Sequence, residues 1–145
     1  MTTYSIGNVA KRTGLSTYTL RFYEKEGLLP TIYKNSAGLR RFSEQDLRWL
    51  KMIERLKSTG MSLKDIKHYL DLYKKGATTV LDRKKMILEQ KAHLEEQMKA
   101  LQENIERINF KIKYYEAAEE VGESRVFEKY PELKAEFERL FKFNL

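Results

Sequence analysis

Five polar residues near the start of the chain have side chains that could bind DNA. They are Ser16, Thr17, Tyr18, Thr19 and Arg21. Hydroxyl and guanidinium groups form hydrogen bonds with phosphate oxygens and with the edges of bases. Because these residues lie so close together, we predict that a single helix presents them to DNA.

Two short helices separated by a tight turn would hold these side chains in place. The first helix is apolar at Ile6, Val9 and Ala10, and Ser16 can cap the second through its hydroxyl group. Between them, Gly14 can adopt the positive φ that ends a helix. A turn of three or four residues that contains glycine is typical of a helix-turn-helix motif. Many buried helix pairs also have a glycine turn, so the motif needs support from the rest of the chain.

The charge of the protein is concentrated in its first part. The 145 residues include 28 Lys and Arg against 21 Asp and Glu, a net charge of +7. Residues 1–60 hold 11 of the basic and 5 of the acidic side chains, whereas residues 61–145 are nearly neutral. This asymmetry indicates a head that binds a polyanion, with a solvated basic surface as the alternative.

Composition excludes several kinds of site. The chain has no cysteine, which excludes disulfides, thiolate metal sites and thiol redox sensors, and two histidines are too few to indicate zinc. The sequence has no membrane-spanning apolar run and no signal peptide. We therefore expect a cytoplasmic protein with no metal, no cofactor and no membrane partner. An enzyme is not expected, because we find no paired nucleophile and base and no phosphate-binding loop.

Residues 31–42, TIYKNSAGLRRF, interrupt the helical pattern and predict a β-hairpin. Residues 31–33 and 39–42 favour strands, and the NSAG between them favours a turn. Such a hairpin beside a helix-turn-helix motif is a wing. Arg40 and Arg41 would point to opposite faces of the returning strand. One could face phosphate and the other solvent or an acidic partner, and the sequence does not say which.

Two further helices complete the predicted head. Each begins with a serine cap and an aspartate three residues later, Ser43 with Asp46 and Ser62 with Asp65. We predict a winged helix-turn-helix domain over residues 1–76.

Residues 77–120 predict one long helix, because they contain neither glycine nor proline. It would be about 60 Å long. Apolar side chains recur in it at the spacing of a coiled-coil seam. The seam consists of Leu94, Met98, Leu101, Ile105, Ile108, Ile112 and Tyr115. Since this helix is longer than the head domain needs, we expect it to pack on a partner helix, most simply that of a second copy.

Two lysines favour an antiparallel arrangement of the coiled coil. Lys84 and Lys91 continue one column of the seam. In a parallel homodimer each would face its twin, and like charges at that distance are unfavourable. An antiparallel pair separates them, and the first half of the helix would then rest against the partner's head.

Residues 121–145 form a short tail that is rich in aromatic side chains. Pro131 indicates the start of a last amphipathic helix. The tail can fold back as core, or its aromatic side chains can line a small effector pocket. The apolar residues are Phe127, Tyr130, Leu133, Phe137, Leu140, Phe141 and Phe143.

Five motifs, in this order, resemble the MerR family of bacterial transcription regulators. They are SIGNVA at 5–10, TLRFYE at 19–24, GLL at 27–29, GLRRF at 38–42 and GMSLKDI at 60–66. The resemblance covers about residues 4–72 and implies a mainly α protein: a winged helix-turn-helix head, an antiparallel coiled coil and a short helical tail.

The resemblance also implies a mechanism. Members are homodimers that bind near-palindromic sites in promoters with an overlong spacer. On binding an effector, such as a small molecule, they bend and untwist the DNA so that RNA polymerase can use it. RNA polymerase would be an indirect partner, reached through the promoter DNA, and the deformation is a form of indirect readout.

Site residues follow by position from the same resemblance. Thr17, Tyr18 and Arg21 are expected in the groove, within a recognition helix that includes Ser16 and Thr19. The DNA backbone is the expected partner of a second set, which consists of Tyr23, Lys34, Asn35, Arg40 and Arg41. Alternatively, Tyr23 is a core aromatic residue with its hydroxyl satisfied nearby, and Lys34 and Asn35 only form the turn.

The chain departs from the family pattern. Phe22, Leu39 and Phe42 stand where tyrosine is usual. It lacks the cysteines of metal and redox sensors, and its tail is too short for a large ligand domain, so the effector stays unknown. Two other functions are kept open: an architectural protein that bends DNA without an effector, and a coiled-coil interaction module.

Overall fold

The structure, a computed structural model, describes residues 2–142. Its internal contacts divide the chain into two compact units, Met1–Lys91 and Ala92–Leu145. The domain limits expected from sequence, with breaks after residues 76 and 120, stay a prediction.

The first unit is a winged helix-turn-helix domain, as predicted. It contains three short strands and four helices, followed by a single 3-10 turn at Ala77–Thr79 and the start of a long helix. The elements are β1 (Thr3–Ser5), α1 (Ile6–Thr13), α2 (Thr17–Lys25), β2 (Tyr33–Lys34), β3 (Arg40–Ser43), α3 (Glu44–Ser58) and α4 (Leu63–Lys75).

The sheet differs from the predicted hairpin in three ways, the smallest being that the returning strand is Arg40–Ser43 rather than residues 39–42. Residues 3–5, for which no strand was predicted, form β1, which pairs antiparallel with β3, so that the order is β1-β3-β2. The first wing strand is Tyr33–Lys34 rather than residues 31–33, because its pairing with β3 joins Tyr33 to Arg41 and Lys34 to Arg40.

The core of the head lies between the helices and the sheet. Its fully buried side chains come from α1 to α4 and β3, among them Val9, Leu20, Phe42, Leu50, Ile53 and Ile66. The indole N–H of Trp49 donates a hydrogen bond of 2.6 Å to the Leu28 carbonyl, which ties α3 to the segment after α2. Ser43 and Asp46 form the predicted capping box of α3. On α4, Ile66, Leu70 and Leu72 are buried, whereas Leu63 is exposed.

The long helix is continuous. Helix α5 runs over 42 residues, Val80–Val121, and ends where Gly122 adopts a φ of 87°. Its start is anchored by Thr79, whose hydroxyl donates a hydrogen bond of 2.6 Å to the Leu72 carbonyl.

The tail packs on one face of α5 within the second unit. After a 3-10 turn at Glu123–Arg125, helices α6 (Val126–Lys129) and α7 (Pro131–Leu140) place Val126, Leu133 and Leu140 in a core with Phe110 and Ala117. The Arg107 guanidinium donates a hydrogen bond of 3.0 Å to the Leu140 carbonyl. Phe143, which the sequence assigned to this tail, lies outside the described residues.

Within residues 2–142, no helix is long and apolar enough to cross a lipid bilayer.

Candidate nucleic-acid interface

The turn between α1 and α2 has the geometry that its sequence predicts. Gly14 ends α1 with a φ of 74° and donates its N–H to the Ala10 carbonyl at 2.9 Å. Ser16 Oγ accepts a hydrogen bond of 3.0 Å from the Thr19 N–H and lies 2.9 Å from the Thr19 hydroxyl. Ser16 and Thr19 therefore stabilise the start of α2, and a role for either at DNA stays a prediction.

Helix α2 presents two large polar side chains to solvent. Tyr18 is 76% exposed, Arg21 is exposed, and Thr17 is half-buried beside them. Within the part of the chain that the structure describes, the Arg21 guanidinium makes no ion pair. Its five N–H donors are therefore available to phosphate or base oxygens.

Three predicted arginines meet at one concave patch. Arg21 from α2 and Arg40 and Arg41 from β3 line a cavity of about 140 Å³, which Ser5 at the start of α1 and Gly38 of the wing also border. The concentration of positive charge beside a helix N-terminus favours an anion. The size of the patch suits a single phosphate group rather than a large ligand.

The two wing arginines have different partners. Arg40 Nε donates a hydrogen bond of 2.7 Å to the Glu24 carboxylate, so Arg40 is the one with an acidic partner. Arg41 donates from Nε to the Thr3 hydroxyl at 3.1 Å and from Nη2 to the Thr3 carbonyl at 3.0 Å. Both guanidinium groups retain unused donors. These bonds hold the two side chains against the head in fixed directions.

The tip of the wing is a tight turn around Asn35. Its side-chain oxygen accepts hydrogen bonds of 3.0 Å from the N–H groups of Ala37 and Leu39, so Asn35 shapes the turn, as one of the two sequence interpretations expected. Lys34 is exposed beside it, opposite Arg40 in the β-ladder. Lys34 therefore lies outside the turn, and its contact with phosphate stays a prediction.

Tyr23 is placed in the core and not at the surface. Its side chain is 1% exposed, and its hydroxyl donates a hydrogen bond of 2.9 Å to Glu54 and accepts one of 3.2 Å from Lys57. Burial is the main cause that raises the pKa of the Tyr23 phenol. This placement matches the alternative of a core aromatic residue with a satisfied hydroxyl, and contact of Tyr23 with the DNA backbone stays a prediction.

Sequence reasoning missed two residues near the patch. Thr3 positions Arg41, but the short β1 strand that carries it has no periodic pattern. Tyr33 is 68% exposed on the wing and lies opposite Arg41 in the β-ladder. Its exposure could have been inferred from the period-two alternation with the buried Ile32.

The predicted dimer seam lies open in the single chain. All seven of its side chains are between 39% and 62% exposed: Leu94, Met98, Leu101, Ile105, Ile108, Ile112 and Tyr115. Leu81 and Leu88, which widen the apolar face earlier in α5, are 80% and 55% exposed. A contiguous apolar stripe of this length is typical of a surface that another protein covers.

Among residues 2–142, no three His, Asp or Glu side chains are grouped so that they could hold a metal ion.

Comparison with known proteins identifies the family of this architecture. The family model "MerR HTH family regulatory protein" matches residues 4–72, and the model "MerR, DNA binding" matches residues 47–109. An uncharacterized HTH-type transcriptional regulator from Haemophilus influenzae is 38% identical over 120 residues, which cover 83% of this chain and 89% of the relative.

Two solved structures resemble the chain closely. HiNmlR, described as a MerR family regulator lacking the sensor domain and bound to promoter DNA, is 38% identical with a TM-score of 0.69, over 83% of this chain and 96% of its own. A putative MerR family transcriptional regulator from Listeria monocytogenes is 29% identical with a TM-score of 0.72, over 89% and 98% of the two chains.

Proposed function

The chain belongs to the MerR family of DNA-binding transcription regulators, and on that premise we propose that two copies bind a near-palindromic promoter site and remodel its spacer when an effector binds. Double-stranded promoter DNA is the direct partner, and RNA polymerase responds to the altered DNA. The observation that carries this proposal is the meeting of Arg21, Arg40 and Arg41 at one patch.

The patch supports a division of work between base and backbone contacts. Tyr18 and Arg21 are exposed on α2, and we expect both side chains to enter the major groove. Arg40, Arg41 and Lys34 are held on the wing, where a guanidinium or ammonium group can neutralise a phosphate. Contacts of this kind fix the register of a protein on the duplex while the helix reads bases.

The exposed seam of α5 supports a dimer. The apolar seams of two copies are covered most simply when they face each other. Lys84 and Lys91, which precede the seam, favour antiparallel helices. A twofold dimer would place its recognition helices in successive major grooves, about 34 Å apart. Inverted half-sites are then the expected form of the operator.

The remodelling step requires the protein to deform DNA between the half-sites. Bending and untwisting a site of this length costs on the order of 1–6 kcal/mol, and additional phosphate contacts can offset it. An effector that favours one conformation of the dimer would change the balance between these two energies.

Selection of DNA fragments by the purified protein tests the operator. We expect the enriched sequences to contain inverted half-sites with one fixed separation, lying between promoter elements that are unusually far apart. Enrichment without a common motif would instead support an architectural DNA-binding protein, and no retention of any DNA would support an interaction module.

Transcription in vitro tests the remodelling. With a promoter of the selected type, transcripts should increase only when an effector is added, and shortening the spacer to the ordinary length should remove the need for the protein. Activation that is the same with the long and the shortened spacer would contradict remodelling.

A further inference from the structure

The second unit contains an aromatic cavity that DNA binding does not use. It has a volume of about 400 Å³ and is lined by Phe110 and Tyr114 of α5 and by Phe127, Phe137 and Phe141 of the tail. Pockets for small molecules have volumes from about 300 to 1,000 Å³ and mainly apolar walls. The cavity is therefore large enough for a bicyclic aromatic compound.

The five rings pack against one another in one cluster, and this cluster forms the wall of the cavity; Phe110 and Phe137 are themselves in contact, at 5.9 Å between centroids. Neighbouring centroids are 5.7 Å apart for Phe110 and Phe141, 5.2 Å for Phe141 and Phe137, and 5.7 Å for Phe137 and Phe127. The Tyr114 ring lies 5.7 Å from that of Phe127 and 6.4 Å from that of Phe110. Phe137 is nevertheless 42% exposed, so the cluster leaves apolar surface open at the cavity.

One lysine gives the cavity its charge. Of the seven residues that line it, Lys111 alone carries a formal charge at neutral pH. The Lys111 ammonium lies 5.9 Å from the centroid of the Phe141 ring, and within residues 2–142 no carboxylate pairs with it. The neighbouring Lys113, in contrast, is paired with Glu136 at 3.4 Å.

We propose that this cavity binds a small planar aromatic acid, with its ring system against the wall formed by the aromatic side chains and its carboxylate beside the Lys111 ammonium. Aromatic walls alone would also accept a lipophilic cation, which is attracted to ring faces. The ammonium repels a cation and attracts an anion, so the charge of Lys111 selects the acid.

The position of the cavity connects it to the predicted seam. Tyr115 both lines the cavity and belongs to the seam, and its ring lies 5.3 Å from that of Tyr114 in an edge-to-face arrangement. A ligand that orders the side chains of Tyr114 and Tyr115 would therefore change the surface that a partner helix contacts. This role as the effector site rests on the proposed function, whereas binding of the acid does not.

Three probes of one shape test the proposal by isothermal titration calorimetry with the full-length protein at low salt. They are 2-naphthoate, the neutral 2-naphthamide and the cationic 2-naphthylmethylammonium. We expect naphthoate to bind most tightly and the ammonium compound most weakly. Tighter binding of the cation, or no heat from any probe at millimolar concentration, would overturn the proposal.

Two variants test separately how the charge of Lys111 and the aromatic wall contribute to binding. Lys111→Met should weaken naphthoate binding by about two- to fivefold, the range of an exposed ion pair, and leave naphthamide unchanged. Phe137→Leu should weaken both by about two- to tenfold, because one stacking partner is lost. Lys99→Met, a matched change of an exposed lysine on α5 away from the cavity, should have no effect.

One result with these variants would contradict the proposal. If Lys111→Met leaves the preference for naphthoate over naphthamide unchanged, the lysine does not select the acid. Circular dichroism of each variant confirms that the helices are retained. Operator selection without any probe tests DNA binding separately, so loss of one activity is distinguishable from loss of the other.

Discussion

Arg21 is the side chain on which base recognition is expected to depend most. It is exposed on α2, makes no ion pair within residues 2–142, and borders the patch that Arg40 and Arg41 share. Arg40 and Arg41 differ from it, because each already donates hydrogen bonds within the head. We infer that Arg21 has more freedom to adapt to a base edge, whereas the wing arginines are preorganised for phosphates.

Replacing Arg21 by alanine should therefore weaken specific binding by about 1–3 kcal/mol, since a bidentate base contact is lost. Affinity for the selected operator, measured by fluorescence anisotropy at fixed salt, checks this. Arg48→Ala provides the control, because Arg48 is exposed on α3 and, among residues 2–142, its side chain bonds only to Gln45. Equal affinity of the Arg21 variant and the natural protein would show that this arginine has no part in recognition.

Tyr23 contributes to the stability of the folded head. Tyr23→Phe removes the hydroxyl between Glu54 and Lys57, which should lower the free energy of unfolding by about 1–2 kcal/mol. Chemical denaturation at pH 7 measures the change. Tyr33→Phe, at an exposed hydroxyl, should leave stability unaltered.

Because the pKa of the Tyr23 phenol is raised, we also expect the protein to lose stability at alkaline pH. Burial, the largest cause, holds the pKa of Tyr23 above its ordinary value of 10.0, and the hydrogen bond to Tyr23 raises the pKa of Lys57. Both contributions are fully present below the unfolded pKa values and are lost as the pH rises through the folded ones. Unfolding of the natural protein should become easier above about pH 10, and Tyr23→Phe should reduce this slope.

Helix α5 presents two apolar stripes on different faces. Phe110, Tyr114 and Ala117 are covered by the tail, while Ile108 and Ile112 of the seam remain exposed. Because Phe110 lies two residues from each of these isoleucines, the two stripes lie on opposite sides of the helix. The tail therefore packs on one stripe of α5 and leaves the seam, on the other side, exposed for a partner.

A charged side chain introduced into the seam should separate the dimer into monomers. Leu101→Lys or Ile108→Lys would place a charged group in the dry interface between the helices, which is unfavourable without a partner charge. Sedimentation velocity should show a monomer for each variant and a dimer for the natural protein. Glu103→Lys, on a different face of the same helix, should remain dimeric; dimers in all three variants would rule out this seam.

At the scale of the whole molecule, the direction of pairing decides where the two heads bind. The chain has no cysteine, so single cysteines report on direction without interference. In an antiparallel pair that crosses near residue 105, the two copies of residue 84 are about 60 Å apart along the axis at the α-helical rise. In a parallel pair they would be neighbours.

Lys84→Cys should accordingly form almost no disulfide between subunits under mild oxidation, whereas Ile105→Cys, near the crossing, should form one readily. Non-reducing electrophoresis of the two variants shows the difference. Efficient crosslinking at position 84 would falsify the antiparallel arrangement.

Local signals in the sequence determined most of the elements. Ser16, Ser43 and Ser62 cap the helices that they were expected to cap, and the absence of glycine and proline predicted the long helix, because these features act within a few residues. The ordered motifs of the head were specific enough to indicate the family and hence DNA binding. The residues at the DNA, the operator and the effector were proposed from the same motifs and stay predictions.

Only the tertiary structure decided how distant residues combine. It paired Arg40 with Glu24 and Arg41 with Thr3, buried Tyr23, and added β1 to the wing. It also packed Phe110 against Phe137 and Phe141 of the tail. None of these follows from periodicity or capping, since each depends on contacts between side chains many residues apart, and such contacts are fixed only when the whole core packs.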